Sequence, residues 1–347
     1  MQNNPFDITF GKPPVTIIER YNITDVVTNA FDNFNPPIYI FCGPRGSGKT
    51  VAMTSISNNF KEMNDWIVIE LNPHNDLEEQ LASSLYQKGS LKHLFIKKEF
   101  NFSFKGFGIS LSGEMPIVST SGLIERMFEY LKKKKINVLI CIDEVNNNQY
   151  MKVFAHDFQY YVRQNYNVCL LMTGLYENIS NLENSEGLTF LYRAPKLYLP
   201  PLNARAIVNT YMNELGMNEK DAIEAANITN GYAFAYQLLG YILFKQNKKK
   251  VDEQVINELD ILLDEKSYNK IYSELTPREK DIVNAIAEGN ESNEEIKNKL
   301  SLKDGTLSTY KNTLDKKGII DVSNRGMSTF KLPRFKEYLL YKQKMYF

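Results

Sequence analysis

The sequence has few of the side chains that build metal sites and disulfides. Its 347 residues include three cysteines and three histidines, which do not cluster. Cys42, Cys141 and Cys169 each lie within a short apolar run, where a thiol acts as a small core residue. Their spacing fits neither a zinc site nor a disulfide, so a reducing, cytoplasmic compartment is expected.

The chain also lacks a long apolar run and a net charge. No run approaches the ~18 residues that span a bilayer, and residues 1–10 resemble neither a secretory signal nor a transit peptide. Lysine plus arginine and aspartate plus glutamate both number 41. This balance excludes a uniformly basic nucleic-acid coat protein, though not a local basic patch. With 43% hydrophobic and 24% charged residues, the chain has the composition of a globular protein of two or three domains.

Apolar runs rich in β-branched residues alternate with helical patterns in the first 200 residues. Helical patterns cover residues 76–87 and 121–133. Strands that are apolar throughout and alternate with helices indicate a parallel sheet covered on both faces. The predicted strands are residues 38–42, 66–71, 138–142 and 168–172.

A segment between the helical pattern at 76–87 and the predicted strand at 138–142 has a different character. Phe100, Phe102 and Phe104 alternate with polar residues, and glycines follow. This period of two predicts a β-hairpin inserted at about residues 97–113. Its aromatic face is expected either to pack on the main sheet or to contact a partner or DNA.

Two further regions follow the α/β part. Pro200-Pro201 ends a predicted strand, and residues 203–263 are helical in pattern. From Thr276 the capping signals and turns predict three helices and a two-stranded hairpin, which is the order of a winged helix-turn-helix. The predicted domains are an α/β core at 1–201, a helical region at 202–272 and a winged helix at 273–347.

The sequence GPRGSGKT lies between a predicted strand and a helical pattern. It matches the Walker A loop, in which glycines let backbone N–H groups point at phosphate oxygens beside a helix N-terminus. Lys49 is predicted to reach the β- and γ-phosphates of ATP, and Thr50 to bind Mg²⁺. The predicted nucleotide-binding residues are Gly43, Pro44, Arg45, Gly46, Ser47, Gly48, Lys49, Thr50 and Val51.

A pair of carboxylates follows the third predicted strand. Asp143 is expected at the end of this strand, beside the phosphate-binding loop, where a carboxylate holds the magnesium shell. Glu144 is then suited to polarise the attacking water. Thr173 ends the next strand, where its hydroxyl is either a turn group or a ligand for the water or the γ-phosphate.

Together, the Walker A loop, the Asp-Glu pair, the strand-end threonine, the helical region and the winged helix resemble the AAA+ ATPases. The resemblance is to their origin-recognition-like, archaeal-type group, and it covers nearly the whole chain. It implies an α/β P-loop fold with a helical lid and a C-terminal winged helix. Glu144 would be the catalytic base and Thr173 the sensor 1 residue. The opening NPFDITFGKPP…IIER resembles the group's N-terminal motif, which implies that Val15 and Ile18 pack on the adenine.

The resemblance also implies an arginine finger that acts in a neighbouring subunit. Arg193 matches the finger position, and Arg163 is the alternative. One departure concerns the lid, where Phe234 replaces the sensor 2 arginine of the family's Gly-x-x-Arg pattern. We therefore expect slow, switch-like hydrolysis.

The carboxyl-terminal end is basic. Residues 303–347 contain ten Lys/Arg and four Asp/Glu, a net charge of +6, which is typical of a duplex DNA binder. In the predicted helix 306–317, Leu307, Tyr310 and Leu314 are expected to pack inward. The predicted DNA contacts are Ser308, Thr309, Lys311 and Asn312 on this helix and Arg325 at the wing tip.

The sequence therefore predicts an oligomeric ATPase that uses ATP and Mg²⁺ and couples the nucleotide state to double-stranded DNA binding. The alternative is a signalling-type regulatory NTPase whose winged helix docks a protein.

Overall fold

A computed structural model describes residues 3–8, 14–88, 91 and 119–345. The predicted hairpin at about 97–113 lies outside these residues. The chain divides into two compact units. We call Tyr21–Cys42 and Ala52–Leu197 the sheet unit, and Met1–Arg20, Gly43–Val51 and Tyr198–Phe347 the C-terminal unit. The boundaries of the three expected domains stay a prediction.

The sheet unit has an α/β fold around a five-stranded β-sheet whose strands are ordered β2-β3-β4-β1-β5. Neighbours β2 and β3, β3 and β4, and β4 and β1 are parallel, as predicted. Because β4 lies between β1 and β3, one strand separates the strand that ends before Asp143 from the strand that precedes the Walker A loop. The strands are β1 (Ile38–Cys42), β2 (Trp66–Leu71), β3 (Asn137–Ile142), β4 (Val168–Gly174) and β5 (Lys196–Tyr198).

Helices cover this sheet, and several begin at side-chain caps. Asp76, Ser119 and Asn148 each accept a hydrogen bond from a backbone N–H in the first turn of the helix that follows. Between helices and sheet lies one apolar core, which includes the buried β3 and β4. The helices are α1 (Tyr21–Asp32), α2 (Lys49–Lys61), α3 (Leu77–Gln87), α4 (Thr120–Lys133), α5 (Gln149–Arg163) and α6 (Tyr176–Glu183), followed by a 3₁₀ helix (Thr189–Arg193).

The C-terminal unit is mainly helical and has its own core. Phe6 lies in this core against Tyr211 and Tyr236, with ring centroids 5.8 Å apart in both pairs. The first helices are α7 (Ala204–Leu215), α8 (Glu219–Thr229), α9 (Ala233–Lys245), α10 (Glu253–Leu263), a π-helical turn (Asp264–Tyr268) and α11 (Asn269–Ser273).

The last 75 residues or so follow the predicted order of three helices and two strands. Thr276 and Glu279 form the predicted capping box at the start of α12, and Ser292 forms a second one with Glu295. Strands β6 and β7 pair antiparallel and are two residues long each. The elements are α12 (Pro277–Ala287), α13 (Asn293–Leu300), α14 (Asp304–Lys316), β6 (Ile320–Asp321), β7 (Thr329–Phe330) and α15 (Phe335–Met345). None of the described helices is long and apolar enough to cross a membrane.

Candidate functional site

Three successive carbonyl oxygens of the Walker A loop are held by donors outside the loop. A trans peptide places its N–H opposite its C=O, so these bonds turn the N–H groups of residues 46–48 away from the donors, and the N–H of Ser47 donates to Pro44 O at 3.4 Å. Amides that face away from such donors are the groups that a phosphate needs. The three bonds join Tyr232 Oη to Arg45 O, Phe234 N to Gly46 O at 3.0 Å, and Arg20 Nη2 to Ser47 O at 2.9 Å.

The middle of the loop accepts only glycine. Gly46 has φ of 72°, in the left-handed region, and a Cβ placed there would lie 2.7 Å from Phe234 Cβ. Gly46 therefore allows the loop to approach the start of α9 closely. The sequence identified Phe234 only as the residue in place of a sensor 2 arginine, whereas its backbone N–H holds the loop.

Lys49 points back into its own loop. Its Nζ donates to Gly43 O at 3.0 Å and to Pro44 O at 2.8 Å, and its side chain is buried. Thr50 follows at the start of α2 and is exposed. The ammonium of the predicted phosphate-binding lysine thus lies against the backbone of the loop that would hold the phosphates.

Arg20 is a site residue that the sequence did not reveal. It donates through Nε to Pro200 O and through Nη2 to Ser47 O, both at 2.9 Å. Burial lowers the pKa of its guanidinium to about 10, so it stays charged at neutral pH. The only signal in the sequence is that Arg20 ends IIER, the last part of the opening motif.

The segment with the predicted adenine contacts is anchored at Thr16. Gln237 Nε2 donates to Thr16 O at 3.0 Å, and Tyr236 Oη donates to the same oxygen at 3.1 Å. Ile18 packs against the core of the C-terminal unit, whereas Val15 is 88% exposed. The adenine role of both residues stays a prediction.

At the edge of the sheet, three of the predicted site residues meet, namely Asp143, Glu144 and Thr173. Thr173 Oγ1 donates to Asp143 Oδ1. The backbone N–H of Glu144 contacts both of these oxygens, at 3.0 Å from Asp143 Oδ1 and 3.2 Å from Thr173 Oγ1. Thr173 is fully buried and is therefore a fixed polar group rather than a loose turn residue.

Glu144 has an unusual backbone conformation. Its φ of 52° is left-handed, which costs a non-glycine residue about 1–2 kcal/mol. The turn leaves the Glu144 side chain exposed, while Val145, the next residue, is fully buried and donates its N–H to Thr173 O at 2.9 Å. The strained turn thus presents one carboxylate to solvent beside the Asp143–Thr173 pair.

The two candidate finger arginines lie on the surface of the sheet unit. Arg163 is exposed and sits over the ring of Tyr160, 5.8 Å from its centroid. Arg193 is exposed and, within the described residues, its guanidinium has no hydrogen-bond or ion-pair partner. It lines a cavity of about 420 Å³ with Gln159, Glu183, Asn184, Thr189, Phe190 and Tyr192.

One predicted DNA contact is wrong. Lys311 is only 6% exposed, and its ammonium donates to Asn293 Oδ1 and to Met327 O. The helical period explains this, because Leu307, Lys311 and Leu314 recur at intervals of four and three residues and share one buried face. Ser308, Thr309, Asn312 and Arg325 are exposed, as predicted, and Tyr310 is half-buried.

Among the described residues, no group of three or more His, Cys, Asp or Glu side chains could hold a metal ion. A magnesium ion bound with a nucleotide does not need such a cluster, because it takes one or two protein ligands with phosphate and water oxygens. The magnesium role of Asp143 and that of Thr50 each stay a prediction.

Solved structures show which fold these sites belong to. A Walker-type ATPase of Pyrococcus abyssi is similar over 93% of this chain and 96% of its own, with a TM-score of 0.62 at 16% identity. The ORC2 protein of Aeropyrum pernix in ADPNP-ADP complexes covers 98% of both chains, with a TM-score of 0.57 at 12% identity. Its ADP form covers 98% of this chain and 97% of its own, with a TM-score of 0.51 at 13% identity. The fold is that of the archaeal origin-recognition-like AAA+ ATPases.

The sequence comparisons add little about function. A family model described as a domain of unknown function, DUF8462, matches residues 265–339, from the π-helical turn to α15. No curated protein matches the sequence.

Proposed function

We propose that the protein is an ATPase that couples ATP binding and hydrolysis to duplex DNA binding through its last domain, a winged helix. The observation that carries the proposal is the Walker A loop, whose carbonyls are held outward and whose lysine lies at the loop. The three buried, free cysteines support a reducing, cytoplasmic setting.

The loop residues divide the work of nucleotide binding. The amides of residues 43–51 and the ammonium of Lys49 hold the phosphates. Thr50 and Asp143 hold the magnesium ion, which neutralises phosphate charge when bound. Val15 and Ile18 contact the base.

Hydrolysis depends on the groups at the edge of the sheet. Glu144 accepts a proton from the attacking water, and Thr173 fixes the carboxylate of Asp143 through its hydroxyl. Phe234 stands where the family has its sensor 2 arginine, so the lid supplies no positive charge at this position. ATP turnover is therefore slow. Arg193 completes the site of a neighbouring subunit, which its exposed, unpartnered guanidinium among the described residues supports.

DNA binding uses the exposed polar face of α14 and the wing. Ser308, Thr309 and Asn312 face the major groove, and Arg325 contacts phosphate or the minor groove. The net charge of +6 over residues 303–347 supports an electrostatic attraction to duplex DNA.

A second candidate function is a regulatory NTPase that docks a protein. The burial of Lys311 favours it, because the outward Ser308, Thr309 and Asn312 of α14 carry no charge. Duplex affinity at increasing salt separates the two functions. For DNA binding, Arg325→Gln lowers the salt slope by about 1, and Arg205→Gln, on α7, leaves it unchanged. No duplex binding at low salt would favour protein docking.

The central test is ATP turnover with and without duplex DNA over a range of protein concentration. We expect Mg²⁺-dependent turnover that rises with concentration and responds to DNA. Lys49→Ala abolishes nucleotide binding, because it removes the charge that reaches the phosphates. A folded wild-type protein that binds no nucleotide in the presence of Mg²⁺ would refute the proposal.

A further inference from the structure

The Walker A loop also contacts the last third of the chain. Arg45 Nη2 lies 2.9 Å from Glu274 Oε1, in an ion pair whose side chains are about one-third exposed, 35% and 32%. Glu274 directly follows α11. The residue pair is separated by 229 positions in sequence, so it joins the loop to a distant segment.

A second contact joins Pro44 to Gly318. Gly318 follows α14 and has φ of 75°, in the left-handed region. A Cβ at this position would lie 2.5 Å from Pro44 Cδ and 2.9 Å from Pro44 Cγ. A proline ring cannot rotate out of the way of an added Cβ. The Walker A loop and the end of α14 can therefore pack closely only because residue 318 is glycine.

The two segments that contact the loop, at Glu274 and at Gly318, are also bonded to each other. Lys317, next to Gly318, pairs with Glu279 at 2.8 Å, and both side chains are buried, at 7% and 3% exposure. Glu279 also accepts hydrogen bonds from the N–H and hydroxyl of Thr276, two residues after Glu274. A buried ion pair therefore joins the end of α14 to the start of α12.

The π-helical turn adds a third link. Ser267 Oγ lies 3.2 Å from Tyr232 Oη, the hydroxyl that donates to Arg45 O. The next residue, Tyr268, donates its hydroxyl to Pro333 O at the start of α15. A π-turn rotates its neighbouring side chains out of the α-helical period, and here Ser267 contacts Tyr232, whose hydroxyl holds the Walker A loop.

We propose that the segment 264–345 sets the nucleotide affinity of the Walker A loop, with Glu274 and Gly318 as its positioning residues. The inference rests on the proposed nucleotide binding. The loop binds phosphate through backbone amides, so its affinity depends on the path of the backbone at Pro44 and Arg45. Any ligand that shifts this segment changes nucleotide affinity, and bound nucleotide changes the affinity for that ligand by the same factor.

The ion pair is tested by exchanging its charges. Titration of the full-length protein with a fluorescent N-methylanthraniloyl-ADP gives the Kd. Glu274→Gln is expected to raise it by about two- to fivefold, and Glu274→Arg by more, because a like charge then faces Arg45. The exchange Arg45→Glu with Glu274→Arg restores part of the affinity. Glu219→Gln, which breaks the more exposed ion pair with Arg205, leaves the Kd unchanged.

The glycine contact is tested against a glycine of similar conformation. Gly326 has φ of 83° and nothing within 4 Å of its added Cβ. Gly318→Ala and Gly326→Ala thus carry similar backbone strain, but only the first pushes on Pro44. We expect Gly318→Ala to raise the Kd by about tenfold or more, in line with a displacement on the order of 1 Å, and Gly326→Ala to leave it unchanged.

The thermal unfolding midpoint without nucleotide separates positioning from folding. A positioning role raises the Kd of Glu274→Gln while this midpoint stays close to wild type. If Gly318→Ala does not fold, the charge exchange decides. A wild-type Kd retained by both Glu274 variants overturns the inference and leaves the proposed function standing. A wild-type protein that does not bind the fluorescent nucleotide refutes the proposed function itself.

Discussion

At the scale of single residues, Glu144 carries the predicted hydrolysis. Glu144→Gln keeps the size of the side chain but removes its ability to accept a proton. We expect nucleotide binding to stay within about twofold and turnover to fall about 10²–10⁴-fold. Parallel binding and single-turnover assays check this. Glu186→Gln, also exposed in the sheet unit, is the control, and undiminished turnover in Glu144→Gln would show that another group is the base.

A second residue, Glu78 of α3, is a buried carboxyl group, and burial disfavours its charged form. Its Oε2 accepts a hydrogen bond from Tyr161 at 2.7 Å, and its Oε1 is buried without a partner among the described residues. Burial raises the pKa of the Glu78 carboxyl to about 8, and the nearby Asp157 and Asp76 add to this. Near neutral pH the folded protein therefore holds Glu78 largely protonated.

This raised pKa predicts a pH dependence of stability. The folded state binds the proton more tightly than the unfolded state, so the stabilisation is complete below about pH 4.5 and is lost as pH rises through about 8. Glu78→Gln is expected to gain about 3 kcal/mol over wild type at pH 9 relative to pH 5.5. Urea unfolding at both pH values measures this. Glu79→Gln, exposed in the same turn, should show no such gain.

At the scale of elements, the ion pair between Lys317 and Glu279 fixes α14 on α12. Lys317→Ala leaves a buried carboxylate unpaired, which costs about 3–5 kcal/mol. The matched control is Lys331→Ala, which breaks a pair of the same 2.8 Å length to Asp315 at the surface and costs about 0–1 kcal/mol. Urea denaturation of both variants measures the difference. Equal losses of unfolding free energy in the two variants would show that the buried pair stabilises the fold no more than the surface pair does.

The sequence predicted elements well where one local pattern determines them. The strands β1 and β2 match their predicted bounds because buried parallel strands are apolar throughout, and the capping box at Thr276 marked the start of α12. The prediction for Lys311 is wrong because the helical period places this residue on the buried face of α14, with Leu307 and Leu314. A buried ammonium needs partners from elsewhere, here Asn293 and Met327, and no local pattern reveals them.

The same limit applies to the candidate site. The Walker A loop and the Asp-Glu pair are read directly because each is a continuous motif. Arg20, Tyr232 and Glu274 hold that loop from 27, 187 and 229 residues away, so their roles follow only from the folded chain. The bond between Thr173 and Asp143 lies between these cases, since parallel strands bring their ends to one edge but do not fix which hydroxyl meets which carboxylate.

At the scale of the whole molecule, the arginine finger predicts complementation between subunits. Arg193→Ala keeps its own Walker A loop, and Lys49→Ala keeps its own Arg193. If Arg193 acts in a neighbour, each variant alone is inactive and a mixture regains up to about one quarter of wild-type turnover. ATPase assays on mixtures of confirmed oligomers check this. Pairing Lys49→Ala with Arg163→Ala tests the alternative arginine, and no recovery in either mixture would rule out a finger at both positions.

The single carboxylate of Glu279 has a consequence for engineering. It caps the first helix of the last domain and also neutralises Lys317 at the end of the third. A designer who transplants residues 304–317 to change what this domain recognises must carry the first turn of α12 as well. Without it, the graft would bring a buried lysine and leave behind the acid that neutralises it.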